Sequence, residues 1–156
     1  MPARVENERI ADTFMNPKAK VGVNEQPVAL LAIGKPGAGK TTSIKQMSGL
    51  PEFTSVNADD VMPNLNGYTP KLANAYHERA GDIAEHVLLP KAIAGRHNIL
   101  FDATGKNSRK MENLAADLKS QGYKVGVLHV SVTTNTAMDR AYKRFKGGGV
   151  WYLLII

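Results

Sequence analysis

The stretch that most constrains this chain is Gly34-Lys35-Pro36-Gly37-Ala38-Gly39-Lys40-Thr41, which follows the apolar run Val28-Ala29-Leu30-Leu31-Ala32-Ile33 and opens a helical segment. The spacing is G-x-x-x-x-G-K-[ST], a phosphate-binding loop when a buried strand precedes it and a helix follows. Its glycines let successive backbone N–H groups curl around a triphosphate at a helix N-terminus, where the dipole also favours anions. In that arrangement Lys40 reaches the β- and γ-phosphates and Thr41 offers its hydroxyl to Mg²⁺. Gly34, Lys35, Gly37, Ala38, Gly39 and Thr42 complete the expected nucleotide-binding set. The motif speaks for nucleotide binding and says little about what receives the phosphate.

Composition narrows the class. The chain has 156 residues, 43% of them hydrophobic, which fits one domain with a substantial core. Without cysteine there is no disulfide framework, thiolate nucleophile or Cys-based zinc site. His77, His86, His97 and His129 lack H-E-x-x-H spacing, so the expected metal is the nucleotide's Mg²⁺, held by oxygen. No run approaches the roughly 18 apolar residues of a membrane span, and no apolar signal region follows an early positive cluster; the expectation is a cytoplasmic protein. The net charge of +6 is concentrated late, with nine Lys/Arg against four Asp/Glu in residues 102–146. Such an excess can serve nucleic acid, but an ATP-handling site also needs cations, and basic–aromatic interleaving of the single-strand-binding kind is missing.

Along the chain, residues 1–26 read as a helix from Arg4 to Met15, with Val5, Ile10 and Phe14 as apolar members, followed by a linker that Asn16-Pro17 begins. Val28 to Ile33 is apolar throughout, as in a parallel strand covered on both faces. A second strand, Phe53 to Val56, delivers Asn57-Ala58-Asp59-Asp60 to its C-terminal end, and Met62 to Tyr68 reads as a loop. Thr69-Pro70 carries N-cap and first-turn chemistry for a long helix with Leu72, Tyr76, Ile83 and Val87 on its apolar face. Pro90 kinks or breaks that helix and Gly95 ends its continuation. A third strand, Asn98 to Phe101, hands Asp102 to its edge. Asn107 caps a helix with Met111, Leu114, Ala115 and Leu118 at helical spacing, which Gly122 closes. A fourth strand starts at Tyr123 and reaches Val130 or Val132. The last helix presents Met138, Ala141, Tyr142 and Phe145, with Arg140 and Arg144 one turn apart beside that face. The alternation predicts an α/β fold, a parallel sheet flanked by helices in the P-loop NTPase or kinase manner. It divides into residues 1–26 as helix and linker, 27–148 as the P-loop domain and 149–156 as an apolar tail.

Phosphoryl transfer needs positioned phosphates, a metal, cations at the transition-state oxygens and a group that orients and deprotonates the nucleophile. Asp59 and Asp60 stand where α/β folds place ligands and can accept a proton from an attacking hydroxyl; the plainer reading is a turn acid that caps the residues after it. Asp102 can hold Mg²⁺ through water, hydrogen-bond substrate, or form an Asx-turn at a strand exit. Arg140 and Arg144 can clamp developing charge or simply be a solvated stripe. Lys35, Lys106 and Arg109 are weaker candidates, and His77 with Glu78 and Arg79 fits a helix surface better than a substrate contact.

These residues, in this order, resemble a zeta-toxin-type kinase domain. The resemblance spans roughly residues 25–148 and rests on Pro27 through Thr41, Val56 to Asp60, Tyr76-His77-Glu78, Asn98 to Asn107, and Arg140 with Arg144. It implies transfer of the γ-phosphate of ATP·Mg²⁺ to a hydroxyl of UDP-N-acetylglucosamine or a related small molecule, and neutralisation by an antitoxin protein. It implies that Asp59 is the general base, that Lys40 and Thr41 bind phosphate and Mg²⁺, and that Asp102, Thr104 and Lys106 lie on the substrate side with Asp60. Arg140 and Arg144 are the implied lid arginines. Phage-type polynucleotide 5′-hydroxyl kinases share the loop, the aspartate and the arginine pair, so a nucleic-acid acceptor is the alternative. A weakly active ATP-binding module is the third reading.

Two departures from the family pattern stand out. The family's glycine pair, arginine and Val-Pro after the lid are replaced by Gly147-Gly148-Gly149-Val150-Trp151-Tyr152, so one lid cation has no counterpart. The chain also stops at Leu153-Leu154-Ile155-Ile156, where the family continues with at least another helix. That apolar end packs as an added strand or helix, meets a partner chain, or marks a truncation.

Overall fold

The computed structural model describes residues 2–33, 51–102, 108–130 and 152–155. The phosphate-binding stretch, Asn107 and the segment with Arg140 and Arg144 lie outside the described residues.

The first strand, β1 (Val28–Ile33), runs between β3 (Ile99–Asp102) and β4 (Lys124–Val130). Outside β3 lies β2 (Thr54–Val56), and outside β4 lies β5 (Tyr152–Ile155), giving the order β2-β3-β1-β4-β5 with every pairing parallel. The apolar tail thus supplies an edge strand, with Tyr152 opposite Val127 and Ile155 opposite Val130. Parallel strands buried on both faces need side chains that are apolar at every position. Leu30 and Leu31 meet that demand on opposite faces, at 1% and 0% exposure.

Register puts Ala29, Ile99 and Val125 in one row and Leu31, Phe101 and Val127 in the next, all on one face of the sheet. Over this face packs α1 (Pro2–Phe14), through Ile10 and Ala11. Beside it lies a long helical segment in three parts. It comprises α3 (Ala73–Ile83), a π-helical turn (Ala84–Leu88) and α4 (Leu89–Ala94), and its buried residues include Ala80, Ile83, Leu88 and Ala92. A short helix, α2 (Ala58–Val61), precedes α3. After β3 comes α5 (Ser108–Ser120), which places Met111 and Leu118 in the same core.

Several local expectations change. The proline at 90 neither breaks nor ends the helix; the wider π turn just before it accommodates a residue that has no N–H and crowds the carbonyl four positions back. Thr69 makes no side-chain cap. A 3₁₀ turn, Pro70–Leu72, comes first and leaves Leu72 45% exposed rather than on the apolar face. Val5 likewise faces solvent, at 66% exposure. Gly95 does end the helix, but with an ordinary φ of −83°; the left-handed residue is Arg96, at φ 55°. What favours glycine at 95 is proximity, since a Cβ there would stand 3.0 Å from the His97 ring and press on it.

The N-terminal edge of the sheet is held by Thr54, His97 and Asn98, all buried. Thr54 Oγ1 accepts the Asn16 N–H at 3.1 Å and shares a second hydrogen bond with His97 Nδ1 at 2.9 Å. Asn98 Oδ1 accepts the Val28 N–H at 2.9 Å, and Tyr123 donates its hydroxyl to the His97 carbonyl at 2.7 Å. Burial pushes the Tyr123 hydroxyl up to about 12.

Candidate active site

The C-terminal edge of the sheet gathers the acids. Val56 pairs with Phe101, so the next residues, Asn57 and Asp102, leave the sheet side by side. Asp102 also pairs with Ala32, two positions before Gly34, which sets it next to the strand that leads into the phosphate-binding stretch.

Asn57 is the N-cap of α2. Its Oδ1 accepts the Asp59 N–H at 2.9 Å, and its carbonyl accepts the N–H groups of Asp60 and Val61 at 3.1 and 3.3 Å. The cap role falls to Asn57 and not to an aspartate. The other end of the same amide, Nδ2, donates to Asp102 Oδ2 at 3.1 Å. The far end of α2 is fixed by buried Val61 and by Asn64, whose Nδ2 donates to the Asp60 carbonyl at 3.2 Å. Asp59 and Asp60 are both exposed on this helix, and Asp102 is half-buried.

Beside these acids is a cavity of about 190 Å³. Its floor is Val56, Ala58, Phe101 and Asp102; one wall is α3 and the π turn, with His77, Glu78, Asp82 and Glu85; Lys110 of α5 stands opposite. Lys110 Nζ holds both Glu85 carboxylate oxygens, at 3.0 and 3.1 Å. Arg79, one residue past Glu78, turns away and pairs with Glu6 at 3.6 Å and Asn7 at 3.4 Å on α1. Lys91, beyond the π turn, pairs with Asp12 at 2.8 Å. Helix α1 is thus tied to the cavity wall on both sides of the turn.

Of the residues expected in the site, Asp59, Asp60 and Asp102 all stand at the C-terminal edge of the sheet; Asp102 lines the cavity, whereas Asp59 and Asp60 are exposed on α2 next to its lining residue Ala58. Gly34, Lys35, Gly37, Ala38, Gly39, Lys40, Thr41, Thr42, Thr104, Lys106, Arg140 and Arg144 lie outside the described residues. His77 and Glu78, favoured from sequence as helix surface, are exposed on α3 as expected, and both also line the cavity. Asp82, Glu85, Lys110 and the role of Asn57 went unrecognised. The spacing of Glu78, Asp82 and Glu85, at i, i+4 and i+7, was the available signal for the first two.

A parallel sheet ordered in this way, with acids at the C-terminal ends of β2 and β3 beside the strand that enters a G-x-x-x-x-G-K-T loop, defines an α/β fold of the P-loop kinase type. The chain belongs to the zeta toxin family, whose family model matches residues 12–150. Among solved structures it is similar to one from the PezAT chromosomal toxin–antitoxin system of Streptococcus pneumoniae, with a TM-score of 0.68 and 21% identity over 94% of this chain and 65% of that one. A chain of the Pnkp1/Rnl/Hen1 complex matches with a TM-score of 0.48 and 21% identity, over 84% of this chain and 42% of that one. No curated protein matches. The chain therefore spans just under two thirds of the first structure's length.

Proposed function

We propose that this chain is an ATP-dependent phosphotransferase that moves the γ-phosphate to a hydroxyl of UDP-N-acetylglucosamine or a related small molecule. The observation that carries the reading is that Asn57 ties the Asp59 backbone N–H and the Asp102 carboxylate together at the C-terminal end of the sheet, beside a cavity of about 190 Å³ that Asp102 lines. In this reading Asp59 accepts the proton of the attacking hydroxyl. Asp60, Asp102, Thr104 and Lys106 hold the acceptor. Gly34, Lys35, Gly37, Ala38, Gly39, Lys40, Thr41 and Thr42 bind the triphosphate, and Arg140 and Arg144 balance charge on the moving group. Residues 27–148 are the transfer domain, with 1–26 strapped to it and 149–156 contributing the edge strand.

The residues fit Mg²⁺: the Thr41 hydroxyl and the Asp102 carboxylate are hard oxygen donors, and phosphates complete such a set. Bound there, Mg²⁺ would neutralise charge on the β- and γ-phosphates. The cavity brings four carboxylates, Glu78, Asp82, Glu85 and Asp102, together with Lys110, so it suits the hydroxyl-bearing sugar portion of an acceptor, which donates protons, rather than its phosphates. An antitoxin protein is the expected partner, because the similar PezAT system is a toxin–antitoxin pair. No helix among the described residues is long and apolar enough to cross a membrane, and use of ATP and a nucleotide sugar suits the cytoplasm.

A weakly active ATP-binding module is the second reading, favoured by the missing arginine after Gly147. Incubation with ATP·Mg²⁺ and either UDP-N-acetylglucosamine or a 5′-hydroxyl oligonucleotide, read by mass spectrometry, separates these readings. A phosphorylated sugar supports the first, a phosphorylated oligonucleotide replaces its acceptor, and neither product with folded protein favours the module.

A further inference from the structure

We propose that Asn57 is a positioning residue whose side-chain amide couples the cap of the Asp59 helix to the Asp102 carboxylate and so holds the two acids in one fixed relation. The inference rests on the phosphotransfer reading for its consequence, though its geometry stands apart from it.

An amide has an acceptor end and a donor end that point apart. At Asn57 the acceptor end is committed to the Asp59 N–H at 2.9 Å, and the donor end is thereby aimed at Asp102 Oδ2, at 3.1 Å. The cap alone does not call for asparagine, because Ser and Asp cap helices about as well. Serine is too short to do both jobs. Aspartate would cap and then set one carboxylate oxygen against another. Only the amide both caps α2 and donates to Asp102, so the bridge is the feature that the residue type explains. Its neighbours leave little slack: Val56 and Phe101 are buried and in register immediately before the pair, and Val61 anchors α2 after it. A shift of Asp59 must therefore strain or break the contact with Asp102. Outer-shell partners of this kind change activity by roughly 10- to 100-fold, and a displacement of about 1 Å at reacting groups costs roughly 100-fold.

The test uses Asn57→Ser, which keeps the cap and removes the bridge, with Asn57→Asp as a second variant that keeps the cap and opposes it. Two readouts decide. In the nucleotide-free protein, the Asp59 backbone amide resonance is followed by ¹⁵N NMR when Asp102 is changed to Asn. The resonance should move in the wild-type background and stay in place in the Asn57→Ser background. In the transfer assay, Asn57→Ser should lower kcat by roughly 10- to 100-fold with Tm within about 3 °C of wild type. Equal movement of the Asp59 resonance in both backgrounds overturns the proposal, as does an Asn57→Ser enzyme that keeps more than half its kcat. If the wild-type protein phosphorylates no acceptor, the functional reading fails and the NMR readout alone decides the coupling.

Discussion

Replacing Thr54 by Val isolates the polar lock at the N-terminal edge of the sheet. The two side chains have nearly the same shape, so the change removes a hydroxyl without opening a cavity. Thr54 is fully buried, and its Oγ1 serves the Asn16 N–H at 3.1 Å and His97 Nδ1 at 2.9 Å. Valine leaves both partners without that oxygen. A buried group left unsatisfied costs about 1–3 kcal/mol. His97 is 6% exposed and takes the middle of that range, while half-buried Asn16 takes the lower end, for a loss of about 3 kcal/mol. Valine's better strand propensity returns only a few tenths of a kcal/mol. For a chain of this size the loss corresponds to a Tm about 6–12 °C lower, measured by circular dichroism and checked by urea unfolding. A loss below about 1 kcal/mol would refute the assignment of the hydroxyl as a two-sided bridge.

His97 should also make stability depend on pH. Burial, and secondarily the charge of Lys20, holds its pKa below the usual 6.5, so the unfolded chain takes up the proton first as pH falls. This contribution is therefore intact above about pH 6.5, declines from there down to the folded-state pKa, and levels off below it. Urea midpoints across pH 5–8 should show the slope, and His97→Gln should flatten it. Gly67 has φ 79°, and a Cβ there would lie 2.8 Å from the Tyr76 hydroxyl oxygen, whose ring sits edge-on to Tyr68. Gly67→Ala should cost about 1–2 kcal/mol, chiefly from the left-handed backbone, and a neutral result by urea unfolding would contradict that.

What could be read in advance depended on how local its cause was. Val28 to Ile33 forms the expected strand residue for residue, because a run that is apolar at every position is stable only when both faces are covered. Helix α5 follows its periodicity, with Met111 and Leu118 buried and Leu114 and Ala115 packed against the core, and Gly122 follows it as expected; in α1 Ile10 is buried as expected but Val5 is not. The π turn was hidden because Pro90 announces only that the regular hydrogen-bond ladder must change, not how. The exposure of Leu72 depends on a 3₁₀ turn that a Thr-Pro pair does not distinguish from a helix start. The placement of Asp59, Asp60 and Asp102 at the C-terminal edge of the sheet was legible because each stands at the end of a strand or just after one. The cavity was not, since its wall comes from the crossing of α3 over β2 and β3, and Lys110 enters from a fourth element. Asn57 carried no role in the sequence beyond its place at the end of the second strand, and only the parallel register of β2 and β3 brings its amide to Asp102.

The central claim is that Asp59 at the sheet edge takes the proton from an acceptor hydroxyl while the loop ending in Lys40-Thr41 holds ATP·Mg²⁺. The most direct measurement compares wild type with Asp59→Asn for phosphate transfer to UDP-N-acetylglucosamine, with ATP affinity measured on the same samples by calorimetry. Loss of the base should lower the transfer rate roughly 10²- to 10⁴-fold and leave ATP affinity within a few-fold. Transfer by Asp59→Asn at the wild-type rate would contradict the account.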